Sequence, residues 1–239
     1  MKKLMSLFLF LLPIFPLQGE INEIYYQGGQ LAERGEFVDN AQHGLWEFFY
    51  RDGNIQERAN WTNGIVDGAF QSYYPDEKLR LEGTYREGIQ SGSWKAYFKN
   101  GAINEVANWE YNELEGPFEA FYEEGVLQST GIYSKDKQEG VWKFFYPSGI
   151  LQAIGNFKDG IMTGEWSFFN DRGKLESKGA YQEGLQDGNF EFFFSDGTIE
   201  GRGAFKRGLR EGPWQQFDLN GDTTIKTKYK IKYRSEQTH

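Results

Sequence analysis

The chain has 239 residues, a formal net charge of -9 and no cysteine. The lack of cysteine excludes disulfides, thiolate metal sites and a cysteine nucleophile. The acidic charge argues against nucleic acid and anionic lipid as the main partner, because proteins bind both through basic surfaces.

The N-terminus carries the three regions of a secretory signal peptide. Lys2 and Lys3 precede an apolar run at positions 4–12, and the small residue Gly19 follows. We predict a signal peptide over residues 1–19 with cleavage near Gly19, and hence a secreted or periplasmic protein. The run is well short of the ~20 apolar residues of a membrane span, and no second run follows.

From residue 44 onward, a glycine followed two positions later by tryptophan or phenylalanine recurs every 24 residues. The pairs are Gly44 and Trp46, Gly68 and Phe70, Gly92 and Trp94, Gly116 and Phe118, Gly140 and Trp142, Gly164 and Trp166, Gly188 and Phe190, and Gly212 and Trp214. Such a period indicates stacked copies of one structural unit, each too small to bury its own apolar face. We therefore predict an N-terminal partial repeat or cap at residues 20–43, the repeat array at 44–221, and a C-terminal capping strand and tail at 222–239.

Each unit contains two turn signals. Glycine recurs in the column of Gly53, often after Asp or Asn, and only Glu77 interrupts it. The Asp-Gly and Asn-Gly pairs predict a tight hairpin inside each unit. A second column, which begins with Asn40 and Gly64, holds only residue types that tolerate left-handed backbone, and it predicts a looser turn between units.

Two short segments rich in aromatic and branched residues lie between these turns, so we predict two strands for each unit. In the second strand, the columns of Ile55 and Trp61 share parity and are assigned to one apolar face. A column of alanine and glycine, beginning with Ala59, lies between them. We expect the Trp46 column to lie over these small residues, because a large ring needs a shallow floor. The predicted fold is all-β, an elongated antiparallel β-hairpin array of about eight repeats, coiled as a single-layer ribbon.

Residues 141–164 show the unit well, with Trp142, Phe145, Gly149 and Gly155 in fixed phase. In these columns the chain resembles, over about residues 25–214, the MORN-repeat variant of bacterial proteins in the YwqK-type antitoxin family. The resemblance implies a β-hairpin scaffold without catalytic residues. It also implies an antitoxin-like role as one alternative function.

One column is aromatic in every repeat and is the candidate binding site. It consists of Phe49, Tyr73, Tyr97, Phe121, Phe145, Phe169, Phe193 and Phe217. By parity it points away from the Trp46 face, beside polar positions such as Glu47 and Lys95. It is either a second apolar layer of the coiled ribbon or a binding ladder for sugars, peptides or a partner protein.

The sequence marks no catalytic, metal or cofactor site. His43 occupies a polar turn column, His239 is the last residue, and neither has partners that would indicate a triad or a metal centre. The segment from Asp218 to Asp222 lacks the closing glutamate of a calcium loop. At the C-terminus, Lys226 and its alternating lysines predict a capping edge strand, or else a contact with an acidic partner.

These observations together predict a non-enzymatic, exported scaffold that binds another protein through its long β surface. A cell-envelope carbohydrate-binding module that uses aromatic ladders is the alternative. Such modules hold their ligand between hairpins, so the carbohydrate hypothesis requires solvent-accessible Trp and Tyr side chains in neighbouring repeats.

Overall fold

The computed structural model of this chain describes residues 20–230. The predicted signal peptide, His239 and the last nine residues of the basic C-terminal segment lie outside this range. The described strands are β1 (Glu20–Tyr25), β2 (Leu31–Val38), β3 (Ala41–Phe49), β4 (Ile55–Thr62), β5 (Ile65–Tyr73), β6 (Leu79–Arg86), β7 (Ile89–Tyr97), β8 (Ile103–Glu110), β9 (Glu113–Phe121), β10 (Leu127–Ser134), β11 (Lys137–Phe145), β12 (Leu151–Lys158), β13 (Ile161–Phe169), β14 (Leu175–Gln182), β15 (Leu185–Phe193), β16 (Ile199–Lys206), β17 (Leu209–Phe217) and β18 (Thr223–Tyr229).

Each strand pairs antiparallel with the strands before and after it in the chain, so the 18 strands form one open sheet. At ~4.8 Å between strands, the sheet extends about 80 Å from β1 to β18. Residues 20–230 contain no helix. No helix that could cross a membrane occurs in that range either. The predicted all-β hairpin array is confirmed.

The tight turn and the looser turn of each unit are exchanged relative to the prediction. The turn between units is the tighter, with only Asp39 and Asn40 between β2 and β3, both at positive φ (51° and 63°). This is the geometry of a type I′ hairpin. Inside the unit, Tyr50 closes a three-residue loop by accepting a hydrogen bond from Gly53 N (3.0 Å), and only Gly53 has positive φ. The Asp-Gly pair thus serves a type I turn with a glycine bulge.

The glycine that opens each unit lies at a β-bulge. Between β2 and β3, Arg34 is opposite Glu47 and Glu36 is opposite His43, so the single residue Gly35 faces residues 44–46. Gly44 has a φ of +70°, and all seven equivalent glycines also have positive φ. The column is glycine in every repeat because the bulge requires left-handed backbone, which glycine adopts without steric cost.

The bulge places a large ring directly over bare backbone, as predicted. A Cβ atom added at Gly35 would lie 2.3 Å from Cδ2 of Trp46, and a similar overlap occurs at Gly83, Gly131, Gly155, Gly179 and Gly203. Trp46 is 0% exposed, and its Nε1 donates a hydrogen bond of 3.1 Å to the backbone oxygen of Glu36. The buried indole nitrogen therefore has an acceptor on the strand that its ring covers.

Alanine floors carry phenylalanine rings, whereas glycine floors carry tryptophan or, at Phe190, phenylalanine. Where the floor is Ala59 or Ala107, the ring opposite it is phenylalanine, Phe70 or Phe118, and both rings are half-buried. Phe190, which lies over a glycine, is only 1% exposed. The depth at which a ring settles thus depends on the floor residue.

The rings also contact one another across the strands. Tyr85 meets Trp94 edge to face with centroids 5.1 Å apart, and Phe157 meets Trp166 in the same way at 5.1 Å. Each such pair contributes about 0.5–1.5 kcal/mol beyond its buried area. Related contacts recur between units and stabilise the single-layer sheet on one face, which we call the ring face.

The predicted position of the Ile55 column is wrong. The register shifts between Phe48 and Phe49, so that Phe48 is opposite Glu57 but Phe49 is opposite Ile55. Because cross-strand partners share a face, Ile55 lies with Phe49 and not with Trp61. The extra residue at this bulge breaks the alternation on which the prediction relied.

Candidate functional site

The candidate site is the sheet face opposite the ring face. We call it the ladder face, because it carries the predicted aromatic ladder. The Arg34 guanidinium lies 5.6 Å from the centroid of the Phe49 ring, and Arg202 lies 5.3 Å from that of Phe217. The polar partners predicted for the ladder, such as Glu47, therefore lie on its face.

The ladder rings are only partly accessible. Phe49 is buried, and the other seven rings of the ladder are half-buried. Ile55 and its equivalents are paired with these rings across each hairpin and are half-buried as well. The ladder is therefore partly an apolar layer, as the first interpretation predicts. Its rings also remain partly accessible to solvent, as the binding interpretation requires.

A charged strip runs beside the ladder. Glu47 bonds Arg34 (Nη2 to Oε2, 2.5 Å) and Arg58 (Nε to Oε1, 3.0 Å), one from each neighbouring strand. Burial alone would raise the pKa of Glu47, but the hydrogen bonds and charges of the two arginines outweigh it and lower the pKa. The carboxylate is thus held ionised and fixed across three strands.

Tyr97 shows the opposite effect in the same strip. Its hydroxyl donates a hydrogen bond of 2.7 Å to Glu82 Oε1. Burial and this contact with a carboxylate raise the pKa of Tyr97 to about 12. The phenol therefore remains a neutral hydrogen-bond donor at physiological pH.

Two of the clefts formed by residues 20–230 open on the ladder face. The larger has a volume of about 820 Å³ and lies between β13 and β18, with Lys178, Glu191 and Arg202 among its walls. The backbone of Gly179 and Gly203 forms part of its floor. The smaller cleft, of about 300 Å³, lies between β3 and β5 and includes Leu45 and Arg58.

The larger cleft has a positive balance on an acidic chain. Its charged lining residues are four cations, Lys178, Arg202, Lys226 and Lys228, and two carboxylates, Glu165 and Glu191. Lys178 pairs with Glu191 at 2.9 Å, and Arg202 Nε donates to Gln215 Oε1 at 2.9 Å. Lys226 and Lys228 make no ion pair with any residue from 20 to 230.

The other polar residues considered in the sequence do not assemble into a reactive centre within the described range. His43 is exposed on β3, opposite Glu36 in the strand register. Asp218 accepts backbone hydrogen bonds from Asn220 (3.0 Å) and Asp222 (2.9 Å) within its turn. Between residues 20 and 230, no group of three or more His, Cys, Asp or Glu side chains is arranged to hold a metal ion.

A tyrosine column that the sequence analysis did not use connects successive units through their ladder strands. Each of these hydroxyls donates to the backbone oxygen of a ladder residue 23 positions later, at 2.6–2.9 Å. The pairs are Tyr26 to Phe49, Tyr50 to Tyr73, Tyr74 to Tyr97, Tyr122 to Phe145 and Tyr146 to Phe169. Tyrosine at a 24-residue spacing was the available signal, but its acceptor is backbone and leaves no trace in the sequence.

Glu57 and Glu105, like Glu33 in the same repeat column, lie on the ring face, where the sequence predicts apolar contacts. Glu57 is opposite Phe48 and Ser72, and Glu105 is opposite Ala96 and Ala120, so each side chain has a small residue on at least one neighbouring strand. Burial raises the pKa of both carboxyls. Their charged forms therefore oppose folding.

A comparison with protein families matches the MORN repeat variant at residues 42–63, 66–87, 114–135, 138–159 and 162–183. The chain is therefore a MORN-repeat protein with five matched copies of the variant. The match concerns the repeat and does not support the antitoxin family that the resemblance had suggested.

A comparison with curated proteins finds no match. Among solved structures, the chain is similar to one in "Crystal Structure of TcdB2-TccC3-Cdc42", with 11% identity and a TM-score of 0.22, over 85% of this chain and 14% of that one. It is also similar to one in "Crystal Structure of TcdB2-TccC3-TEV", with 13% identity and a TM-score of 0.22, over 86% of this chain and 14% of that one. The chain thus spans about a seventh of the length of these proteins, and the scores carry no inference about its function.

Proposed function

We propose that this MORN-repeat protein is a non-enzymatic scaffold that binds another protein through the ladder face. The observation that carries the proposal is the cleft of about 820 Å³ between β13 and β18, with its excess of positive charge. The whole chain has a net charge of -9, so this cleft differs in sign from its surroundings. Such a contrast favours an acidic segment of a partner and steers it to one place on the surface.

Exposed aliphatic side chains on the ladder face support a protein as the partner. Leu45, Ile132 and Val141 alternate with ring-face residues and are each exposed by slightly more than half. Apolar groups beside charged ones are the usual composition of a protein interface. A second protein would bury these side chains, whereas a solvated surface gains nothing from them.

The burial of the tryptophans supports this choice over a carbohydrate cage. A cage between hairpins needs accessible rings, but Trp46, Trp142 and Trp166 are buried and in contact with neighbouring rings. A carbohydrate could then stack only against the partly accessible rings of the ladder. No observation favours the antitoxin-like alternative.

We also propose that the protein is exported, on the strength of the three-part pattern in residues 1–19. Mass spectrometry of the protein recovered from its host is expected to find an N-terminus near residue 20. A full-length protein in the cytoplasmic fraction would refute export and leave the binding proposal intact.

The binding proposal is tested with charge variants of the cleft. Lys178→Gln combined with Arg202→Gln removes two cleft cations, and Lys158→Gln combined with Lys174→Gln removes two cations that do not line the cleft. Both double variants change the net charge equally. The partner is first identified by crosslinking in the native envelope and is then purified. In binding assays with this partner, we expect the cleft variant to lose binding and the control variant to retain it.

Two results would contradict the proposal. Equal binding by both variants would mean that the cleft does not carry recognition. Retention of the wild-type chain by purified envelope glycan, with loss upon Phe145→Ala and Phe169→Ala, would favour the carbohydrate alternative. Thermal melting of every variant controls for folding, because both ladder rings are half-buried.

A further inference from the structure

The two ends of the sheet carry opposite charges and complementary strands. We propose that copies of this chain associate head to tail, with β18 of one copy pairing with β1 of the next. The sheet would then continue from copy to copy. The proposal concerns the unpaired edges of the two end strands, although Lys226 and Lys228 of β18 also line the cleft discussed above.

Both end strands have one unpaired edge within the described range, because β1 pairs with β2 and β18 pairs with β17. Glu20 and Glu23 make β1 acidic, whereas Lys226 and Lys228 make β18 basic. An unpaired strand edge is a template for pairing with another chain. The charges disfavour pairing of two like ends and favour pairing of unlike ends.

The order of strands within the repeat also fits. Shifted by 24 residues, β1 corresponds to residues 44–49, the first strand of a unit, and β18 corresponds to the second strand that begins at Ile199. In the array, the second strand of each unit pairs with the first strand of the next, as β2 does with β3. Pairing of β18 with β1 of another copy repeats this step.

The register of the array then specifies the contacts. The pairing of Arg34 with Glu47 becomes Lys226 opposite Glu23 of the next copy. The same register position holds ion pairs inside the array, at 2.5 Å for Arg34 and Glu47 and at 2.9 Å for Lys178 and Glu191. The end contact would therefore reproduce an ion pair that the chain already uses twice.

The apolar neighbours in this register also match. The pairing of Glu33 with Phe48 becomes Ile225 opposite Ile24 of the next copy. These isoleucines are 50% and 42% exposed in the single chain. Pairing of the two strands would cover both side chains and bury apolar surface at the junction.

The floor and ring positions are altered together at this junction. The floor glycine of the array is replaced by Thr227, over which an indole could not settle. The ring of the next unit is replaced by Asn22, which is small enough to lie beside a threonine. The ends are thus compatible with each other, although neither has the Gly-Trp pair used inside the chain.

Because this contact joins two different surfaces of one chain, it generates an open chain of copies unless the rotation closes a ring. Sedimentation velocity of the full chain over a range of concentrations is expected to show dimers and longer species. Glu23→Lys and Lys226→Glu should each weaken the association constant by about 5- to 30-fold, because an attraction becomes a repulsion. The double variant should recover most of the association, since it restores an opposite-charge pair.

Glu176→Lys and Lys158→Glu, exposed charge reversals on interior strands, are the controls and should leave association unchanged. Equal effects of control and edge variants would overturn the proposal, as would a double variant no better than the single ones. A full chain that stays monomeric, and associates only when residues 231–239 are deleted, would show that its own tail occupies the β18 edge. That result would also overturn the proposal. The cleft variant Lys178→Gln with Arg202→Gln should associate normally, which separates this contact from the proposed partner binding.

Discussion

Replacement of Gly155 by alanine tests how closely a ring is fitted to its floor. A Cβ atom at this position would lie 2.1 Å from Cδ2 of Trp166, where ordinary contacts begin at 3.4 Å. The indole must therefore move by about 1.3 Å. Trp166 is buried, and its Nε1 donates a hydrogen bond of 3.1 Å to Asn156 O, which such a movement would weaken.

The expected cost of Gly155→Ala follows from three contributions. Overpacking costs about 1–3 kcal/mol, and loss of the hydrogen bond costs about 0.5–1.5 kcal/mol. Alanine restores about 0.4–1 kcal/mol by restricting the unfolded chain. We therefore expect a net destabilisation of about 2 kcal/mol.

The natural alanine floors suggest a compensating change. The double variant Gly155→Ala with Trp166→Phe recreates the pairing of Ala59 with Phe70. In urea unfolding followed by circular dichroism, the double variant should be at least about 1 kcal/mol more stable than the sum of the two single effects. Gly201→Ala is the matched control, because its new Cβ would meet no ring and would approach Gln215 O at 3.3 Å and Gln216 Cγ at 3.9 Å, so the change should be smaller. The reasoning would be refuted if the free-energy costs of the two single variants added to that of the double variant within about 0.5 kcal/mol, or if Gly155→Ala had no effect on stability.

Three further predictions concern turns, connections between units and pH. Glu77 has a φ of 64° in a glycine column, so Glu77→Gly should raise the free energy of unfolding by up to about 1 kcal/mol, while Gly101→Ala should lower it by a similar amount. A loss of stability for Glu77→Gly, or a gain for Gly101→Ala, measured by urea titration, would contradict the turn assignment. Tyr146→Phe removes the hydroxyl that donates to Phe169 O and should cost about 0.5–1.5 kcal/mol in the same assay; a neutral change would show that the bond contributes nothing. Burial raises the pKa of Glu105 in the folded chain, so wild-type stability declines as pH rises through that pKa. Glu105→Gln should therefore raise the melting temperature at neutral pH, with the gain disappearing near the ordinary glutamate pKa of ~4.3; a gain independent of pH would contradict this assignment.

The repeat made much of the fold predictable. The Gly-x-Trp spacing, the strand lengths and the column of small residues were sufficient to predict the ring on its glycine floor. The units carry similar residue types at the same repeat positions, so a position that is ambiguous in one unit can be interpreted from the others. This consistency favours one structure over competing pairings.

The bulges were not predictable from the alternation of apolar and polar residues. An extra residue near Gln56 moves Ile55 to the ladder face, and the bulge at Gly44 leaves three residues opposite one. Both features depend on hydrogen-bond register, which simple parity ignores. The turn types were exchanged for a related reason, since Asp-Gly suits both a two-residue hairpin and a three-residue loop with a glycine bulge.

The candidate site was only partly predictable. The sequence identified the ladder column and the face to which it points, but the tyrosine hydrogen bonds end on backbone atoms that have no sequence signature. The positive cleft brings together Lys178, Arg202 and Lys226 on β14, β16 and β18. These cations are 24 residues apart and share one column of the repeat, so the sequence carried this signal, but the sequence analysis did not follow that column. Glu57 and Glu105 break the predicted apolar pattern, and their space arises from small neighbours on adjacent strands.

The most direct test of the account is the proton NMR spectrum of the floor residues. A glycine Hα beneath an indole is shielded by the ring current, so the Hα resonances of Gly35, Gly83, Gly131, Gly155 and Gly203 should all be shifted upfield of ordinary strand glycines. Gly201, which no indole covers, serves as the internal reference. Resonances of the five floor glycines at the same position as that of Gly201 would show that the rings do not lie on the backbone of the preceding strand, and would contradict the central claim.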